Sequence, residues 1–274
     1  MLQVQLPSFV TYSILCCLLR YLEGLCCLLT TFPLDMAPQS VDDMYKGCND
    51  SMNATANMYL LNETNMDKDF SQAWNKSEKA YWNKYEKIKS LEKDLFKAIH
   101  VYTLGDPKIY LDLNKAVRTQ KSQYGTTFRY HALHFFLTRA IQTLNAEKPE
   151  EERCLTSYRR TSVSFSQDVL NKKFRFGSFT SSSQGDYPSG NFGKVSCFKI
   201  VTCFGADIQR YSALGKHERE VLIPPYEIFK VTKIITGTER NNKKSCTVIY
   251  EVKSTGIYSS SLCDLGLQQE IELN

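Results

Sequence analysis

The chain lacks the short motifs that mark the common nucleotide-binding and hydrolytic enzymes. It contains neither GxGxxG nor a Walker phosphate loop, which excludes a Rossmann dinucleotide site and a Walker phosphate cradle. GxSxG and HExxH are missing as well, so the nucleophile elbow of a hydrolase and the helix of a zinc protease are excluded. Neither standard phosphate-binding loop is therefore available to this chain.

Charge of one sign is not concentrated anywhere in the sequence. The formal net charge of +5 is spread along the chain, whereas a nucleic-acid footprint needs a basic stripe or patch. We therefore expect no nucleic-acid partner. With 274 residues, of which 42% are hydrophobic and 23% charged, the composition is that of an ordinary globular protein with a sizeable core.

No apolar run is long enough to span a bilayer comfortably. Ser8–Leu19 forms one short run and a second follows Glu23, which together fit a cleaved secretory signal over residues 1–30. The alternative is a retained, membrane-tethering segment acylated on Cys16, Cys17, Cys26 or Cys27. At the other end, LGLQQEIELN has no hydrophobic run that a glycolipid anchor would replace, so we expect release from the cell.

Removal of the leader leaves an even number of cysteines and no CxxC pair of the kind that binds zinc. Disulfides are the simplest interpretation of these six, Cys48, Cys154, Cys197, Cys203, Cys246 and Cys263. Four N-x-S/T sequons crowd a polar segment after the first of them, at Asn49, Asn53, Asn62 and Asn75, as expected of a glycosylated surface. Together these features predict the secretory-pathway lumen or the extracellular space.

The hydrophobic pattern divides the mature chain into a helical and a β-rich part. Apolar residues recur at spacings of three and four from about Pro38 to Asn145, whereas short alternating, β-branched runs follow the charged linker Glu147–Arg153. Helices first and strands afterwards predict an α+β fold rather than a wound parallel sheet. The regions expected are a leader (1–30), a helical, glycosylated part (31–150), a β-rich core (151–266) and a short polar tail (267–274).

Two histidines, His131 and His134, lie in the strongest helical stripe, TTFRYHALHFFLTRAIQTL. Their three-residue spacing would let both bind one metal ion, but no third ligand is evident. Histidines among this many aromatic residues are far more often packed core residues. We therefore predict two core histidines and no metal site.

Three polar stretches remain once the core is assigned: the arginines of SYRRTS, the hydroxyls of FTSSS and the glutamates of HERE. On a strand, Glu218 and Glu220 would point to one face and Arg219 to the other, so two carboxylates would share one surface. Such a pair repels unless a cation or a polar ligand lies between its members. Taken singly, the three stretches also fit exposed strand residues, a linker and a strand edge.

In their order and context these stretches closely resemble the vertebrate arginine-specific mono-ADP-ribosyltransferase family, whose site combines an arginine, a serine and a Glu-x-Glu. CLTSYRR, RFGSFTSSS, TCFGADI and EREVLIPPYE carry the resemblance, which extends from about Pro33 to Cys263. It implies that a helical part packs on a β-sandwich core that is catalytic and binds NAD+. It also implies transfer of ADP-ribose from NAD+, with NADP+ as a second candidate, to arginine side chains of acceptor proteins.

The resemblance assigns roles to four residues. Arg159 would grip the phosphates of NAD+, since a planar guanidinium offers a diphosphate paired donors. Ser181 would hold the nicotinamide ribose and order the glutamate beside it, with Ser182 and Ser183 in support. Glu220 would be the catalytic carboxylate, which also binds the cofactor ribose, and Glu218 would recognise the acceptor.

The resemblance also implies two disulfides, Cys48 with Cys263 and Cys154 with Cys203. Cys197 and Cys246 then remain. A third bridge between them is suggested by parity alone, because spacing does not determine connectivity.

Arg160 departs from the family pattern, in which glycine or another small residue often follows the arginine. Its bulk would crowd the nicotinamide pocket or alter its affinity, so two alternatives to the transferase stay open. One is an NAD+ glycohydrolase, in which water replaces the guanidinium, and the other is a catalytically silent, glycosylated binding protein on the same scaffold. Tyr187 and Phe192 are plausible partners for nicotinamide, but aromatic residues in a β domain are more often core residues, so we do not include them in the predicted site. We expect a monomer.

Overall fold

The computed structural model describes five stretches of the chain: 31–84, 91–187, 192–215, 219–236 and 246–260. The chain divides into Met1–Thr31 and a compact unit that starts at Phe32. The predicted leader (1–30) and polar tail (267–274) lie outside the described residues. No helix in the described stretches is both long and apolar enough to cross a membrane.

Helices make up the first half of the described chain. Their bounds are α1 Asn49–Met66, α2 Lys68–Lys84, α3 Lys93–Thr103, α4 Ile109–Thr119 and α5 His131–Ala146. Short 3-10 turns at Lys121–Gln123 and Glu150–Glu152 flank α5, and the second of these lies within the predicted charged linker.

Apolar residues at helical spacing explain why these segments form helices. The buried residues of α2, among them Phe70, Trp74, Ser77 and Tyr81, recur at spacings of three and four and lie on one face. The helix α5, which the sequence predicts from its apolar stripe, is buried along most of its length. A helix with so few exposed positions belongs in the centre of a core rather than on its surface.

Strands make up most of the second half. Their bounds are β1 Thr31–Phe32, β2 Leu155–Thr161, β3 Ser164–Phe165, β4 Lys173–Phe174, β5 Thr180–Gln184, β6 Ser196–Thr202, β7 Ala206–Asp207, β8 Glu220–Ile223, β9 Glu227–Thr236 and β10 Val248–Ile257. Eight of them form one sheet in the order β4-β9-β10-β6-β2-β5-β8-β7. In this sheet β10 and β6 are parallel, whereas every other pair is antiparallel.

The sheet folds over on itself and carries the helices on one side. Val221 and Ile223 of β8 share an apolar cluster with Phe198 of β6 and Phe229 of β9, although β8 is not a neighbour of either strand in the sheet. On the helical side, Ala206 of β7 and Leu222 of β8 join the core formed by the helices, as does Phe179 just before β5. The predicted α+β fold, a helical part packed on a β-sandwich, is confirmed.

Disulfides join distant parts of the β-rich region. Cys154 is bonded to Cys203, which is the pairing that the resemblance implies, and Cys197 is bonded to Cys246. Cys48 is also disulfide-bonded, but its expected partner Cys263 lies outside the described residues. The pairing of these last two remains a prediction.

The four sequon asparagines all lie on the first two helices, α1 and α2. Asn53, Asn62 and Asn75 are exposed, and the half-buried Asn49 is the first residue of α1. The three exposed asparagines are thus open to an attached glycan, and glycosylation remains a prediction.

The two histidines of α5 are packed as core residues. His134 lies with Nδ1 2.7 Å from the Tyr45 hydroxyl and Nε2 3.3 Å from the Val41 carbonyl. Burial lowers the pKa of His134 to about 3 and that of His131 to about 4, so both imidazoles are neutral at pH 7. Within the described residues no group of three His, Cys, Asp or Glu side chains is placed to hold a metal ion.

Candidate active site

Two neighbouring strands, β5 and β8, bring the predicted serine and the predicted catalytic glutamate together. Their antiparallel register pairs Ser181 with Leu222 and Ser183 with Glu220. Because alternate residues of a strand share a face, Ser181, Ser183 and Glu220 all point to the helical side of the sheet. Residues that are 39 positions apart in the sequence are thus diagonal neighbours on one surface.

The carboxylate of Glu220 is almost fully enclosed, with 6% of the residue exposed. Its Oε2 accepts a hydrogen bond from the Ser212 hydroxyl at 3.2 Å, and its carbonyl accepts one from Ile208 N at 3.0 Å. Burial and these contacts fix the direction of the carboxylate. A fixed acidic group of this kind can stabilise positive charge that develops on a bound sugar.

The backbone turns sharply just before Glu220. Arg219 has a φ of 44°, in the left-handed region, and β8 begins only at Glu220. The predicted simple strand alternation through Glu218, Arg219 and Glu220 is therefore wrong at Arg219. Glu218 itself lies outside the described residues, so its role as the acceptor-binding carboxylate remains a prediction.

Gly185 accommodates the side chain of this turn residue. A Cβ added to Gly185 would lie 2.9 Å from Nη1 of Arg219, and the carbonyl of Arg219 accepts a hydrogen bond from Gln184 N at 2.9 Å. The end of β5 therefore supports the turn that leads into Glu220.

Arg159 lies where the strands β2 and β5 separate. Their described pairing consists of Ser157 with Gln184 and Tyr158 with Ser183, and it ends before Arg159. Nη1 of Arg159 instead donates a hydrogen bond to the Ser181 carbonyl at 2.7 Å. The predicted arginine and the predicted serine therefore contact each other at the point where the pairing of β2 and β5 ends.

Tyr102 of α3 lies near the three predicted residues and was not predicted from the sequence. Its hydroxyl donates to the Phe179 carbonyl at 3.1 Å and accepts from Nδ2 of Asn114 at 3.0 Å. Burial raises the pKa of Tyr102, while a hydrogen bond with the Ser181 side chain and the charges of Glu220 and Arg159 also act on it. The Tyr102 side chain is therefore an uncharged phenol at pH 7, and it lies within electrostatic reach of Arg159, Ser181 and Glu220. A lone tyrosine in an amphipathic helix has the pattern of a core residue, so no motif or spacing marks Tyr102 as part of a site.

The three serines of β5 have different surroundings. Ser182 is buried, and its hydroxyl lies 2.8 Å from Ser157 Oγ, with which it shares a hydrogen bond, and 3.2 Å from the Val221 carbonyl. It therefore ties β2 to β8 on the face opposite Ser181. Of the two serines expected to support Ser181, only Ser183 shares its face.

The side chain of Arg160 points to the face of β2 opposite that of Arg159, since the two are consecutive strand residues. Its guanidinium lies 5.4 Å from the ring centroid of Tyr187, and Tyr187 packs edge-to-face against Tyr158 with centroids 5.0 Å apart. Tyr187 is buried, whereas Phe192 is 47% exposed. Arg160 therefore belongs to the packing around Tyr187 and does not join the cleft beside Ser181.

Comparison with known proteins gives a consistent result. The sequence profile of the NAD:arginine ADP-ribosyltransferase family matches residues 34–247. The mouse (Mus musculus) ecto-ADP-ribosyltransferase 5 is 34% identical over 237 residues, which cover 81% of this chain and 73% of the relative. The chicken (Gallus gallus) NAD(P)(+)–arginine ADP-ribosyltransferase 2 is 32% identical over 243 residues, with coverages of 86% and 73%.

Among solved structures, a mutant of the eukaryotic mono-ADP-ribosyltransferase ART2.2 in complex with NADH has a TM-score of 0.68 and 30% sequence identity. The match covers 85% of this chain and 98% of that chain. A second crystal structure of ART2.2 gives a TM-score of 0.66 at 29% identity, with the same coverages. The similarity thus extends over the helical and the β-rich part alike.

Proposed function

Because the chain belongs to the NAD:arginine ADP-ribosyltransferase family, we propose that its cleft transfers ADP-ribose from NAD+ to arginine side chains of acceptor proteins and releases nicotinamide. NAD+ is the substrate that donates ADP-ribose. The observation that carries the assignment of the site is that Nη1 of Arg159 bonds the Ser181 carbonyl, while Ser181 and Glu220 lie on one face of the paired strands β5 and β8. In the proposed reaction each of four residues has its own role: Arg159, Ser181, Glu218 and Glu220.

In the first step the bond between nicotinamide and the ribose C1′ breaks, and its electron pair stays with the nicotinamide nitrogen. The leaving group is already cationic and becomes neutral, so no general acid is needed. Positive charge develops on the ribose, and the buried carboxylate of Glu220 stabilises it. Ser181, diagonal to Glu220, holds the ribose hydroxyls, and Arg159 binds the diphosphate.

In the second step a guanidinium nitrogen of the acceptor forms a bond to C1′ and loses a proton. An arginine side chain is protonated at neutral pH and is a poor nucleophile, so a carboxylate must orient it and take up that proton. Glu218 is the residue of this chain proposed for that role. A water molecule in place of the guanidinium would give hydrolysis of NAD+ instead.

We propose that a secreted, monomeric form of the protein catalyses the reaction outside the cell. The disulfides and the exposed asparagines of the sequons support passage through the secretory pathway. Relatives of similar sequence are named ecto-enzymes, including the T-cell ecto-ADP-ribosyltransferase 1 of Mus musculus.

Incubation of the secreted protein with labelled NAD+ and agmatine or polyarginine tests this function. Label on the acceptor is expected. Free ADP-ribose without labelled acceptor would identify a glycohydrolase, and the absence of both products would identify a silent binding protein. Repeating the assay with NADP+ determines which dinucleotide the protein uses.

A further inference from the structure

Three lysines form a row across three neighbouring strands at one end of the sheet. Lys173 of β4 lies directly opposite Lys230 of β9, which in turn lies directly opposite Lys253 of β10. Side chains in directly opposite positions point to the same face, and neighbouring strands are about 4.8 Å apart. Although positive charge is spread along the sequence, folding therefore concentrates three of these charges on a short stretch of surface.

The row points away from the core. Lys173 and Lys253 are exposed, and Lys230 is half-buried. Their neighbours along the strands, among them Phe229 and Val252, are buried in the apolar cluster that β9 and β10 share with β8. Since successive residues of a strand point to opposite faces, the lysines lie on the outer face of these strands.

Two more lysines extend the row into a patch. Lys233 of β9 and Lys199 of β6 both lie opposite Glu251 of β10, two positions along the strand from Lys253. The strands β4, β6, β9 and β10 contain five lysines and two acidic residues, of which Glu227 is buried. Within these four strands, Glu251 is thus the one acid that shares the outer face with the lysines. We refer to the five lysines, Lys173, Lys199, Lys230, Lys233 and Lys253, as the lysine face.

In the part of the chain that the structure describes, no salt bridge neutralises the row of Lys173, Lys230 and Lys253. Like charges in directly opposite positions destabilise a sheet. Asp168, which precedes β4, is bonded to Lys172 instead. A lysine on an edge strand such as β4 prevents pairing with another chain, but β9 and β10 are interior strands, where that protection is not needed. An anion bound across the row would relieve the repulsion.

The chemistry of the lysine face fits a linear polyanion. An ammonium group is a point charge on a flexible stem, so it responds to the density of negative charge rather than to the shape of one planar group. A nucleic acid is less well matched, because bases need exposed rings on which to stack. The aromatic residues of these four strands are all buried: Phe174, Phe198, Phe229 and Tyr250.

We propose that the lysine face binds a sulfated polysaccharide of the extracellular space, with Lys173, Lys230 and Lys253 holding sulfate groups along its chain. Sulfated polysaccharides are linear polyanions that a protein outside the cell encounters. Each contact between an ammonium and a sulfate group releases counterions, so several contacts add up to a stable but salt-dependent complex. Binding retains the protein near cell surfaces and their acceptor proteins. The inference relies on the proposed extracellular location and not on the chemistry of the cleft.

The test measures binding of the full, disulfide-bonded chain to a heparin oligosaccharide by isothermal titration calorimetry at several salt concentrations. In the double variant Lys230→Gln/Lys253→Gln we expect the affinity to fall by about tenfold or more, since two charge-assisted contacts are lost. The slope of log affinity against log salt concentration should fall by about one for each lysine removed. The melting temperature should stay the same or rise, because like-charge repulsion is removed.

Lys79→Gln/Lys115→Gln is the matched control, because it removes two exposed lysines from α2 and α4 and changes the net charge equally. Charges far from the binding surface are screened by salt, so heparin affinity should stay within about twofold of wild type. The binding assay needs no enzymatic activity, and kcat/KM for agmatine should be unchanged in Lys230→Gln/Lys253→Gln. Failure of this inference is therefore distinguishable from failure of the proposed function.

Absence of heparin binding by the wild-type chain would overturn the inference. Equal losses of affinity in the control and in Lys230→Gln/Lys253→Gln would overturn it as well, since net charge rather than the lysine face would then account for binding. Equal affinity for hyaluronan, which carries carboxylates and no sulfate, would refute recognition of sulfate. Tighter binding of a single-stranded DNA oligonucleotide than of heparin would identify a nucleic acid as the occupant instead.

Discussion

Removal of the Tyr102 hydroxyl tests whether helix α3 positions the catalytic strand. Tyr102 is 4% exposed, and its hydroxyl bonds the Phe179 carbonyl at 3.1 Å and Nδ2 of Asn114 at 3.0 Å. In Tyr102→Phe both bonds are lost, and each contributes about 1 kcal/mol net. We therefore expect the free energy of unfolding to fall by about 2 kcal/mol, which corresponds to roughly 4–8 °C in melting temperature for a chain of this size.

The catalytic effect of the same substitution is separable from its effect on stability. Because Tyr102 also contacts the Ser181 side chain, its loss frees Ser181 to shift relative to Glu220. We expect kcat/KM for transfer to agmatine to fall by roughly tenfold to a hundredfold at a temperature where the variant is fully folded. Initial rates and thermal unfolding, measured on the same preparation, give both quantities.

Tyr110→Phe provides the matched control for this experiment. The ring of Tyr110 packs edge-to-face against Tyr102, with centroids 6.2 Å apart, and its hydroxyl makes no hydrogen bond within the described residues. We expect neither the melting temperature nor kcat/KM to change. A Tyr102→Phe protein that loses stability but retains wild-type kcat/KM would refute the positioning role of Tyr102.

Three further predictions concern stability and the cofactor pocket. Replacing Cys154 and Cys203 by serine opens a disulfide with a sequence separation of 49 residues, and we expect a loss of about 4 kcal/mol in denaturant unfolding. Burial lowers the pKa of His134 to about 3 in the folded protein, whereas in the unfolded chain the same imidazole binds a proton below about pH 6.5. The free energy of unfolding should therefore fall as the pH drops, by about 2 kcal/mol at pH 5. In parallel urea titrations His134→Gln should reduce this loss. Arg160→Ala should leave the KM for NAD+ unchanged because Arg160 lies over Tyr187, whereas a lower KM would support crowding of the nicotinamide pocket.

The fold could be predicted from the sequence because its local signals agree with one another. The apolar stripe of α5 and the alternating, β-branched runs after the linker Glu147–Arg153 appear as a helix and as strands. The two histidines of α5 were predicted to be core residues for the same reason, since aromatic neighbours predict burial. The strand order could not be predicted, because it depends on pairings between distant segments such as β10 with β6.

The site could be predicted only where a motif resembled a known family. Arg159, Ser181 and Glu220 come from such motifs, and their contacts agree with the proposal. Tyr102 was missed, because a single tyrosine in an amphipathic helix carries no periodic or spacing signal. Its importance follows from the packing of α3 against the residues that lead into β5, which no local pattern records.

The turn at Arg219 shows a different limit of sequence reasoning. A run such as EREVLI predicts a strand, and strand alternation would place both glutamates on one face. The positive φ of Arg219 breaks that alternation, and a non-glycine residue in this conformation is uncommon enough that the sequence does not predict it. Strain of this kind is often found at functional sites, which agrees with its position beside Glu220.

The ratio of transfer to hydrolysis in two variants shows whether Glu220 stabilises the ribose cation and Glu218 serves the acceptor. With labelled NAD+ and agmatine, we expect Glu220→Gln to abolish both reactions and Glu218→Gln to suppress transfer while some hydrolysis persists. Equal loss of both activities in Glu218→Gln, or hydrolysis at the wild-type rate in Glu220→Gln, would contradict the account.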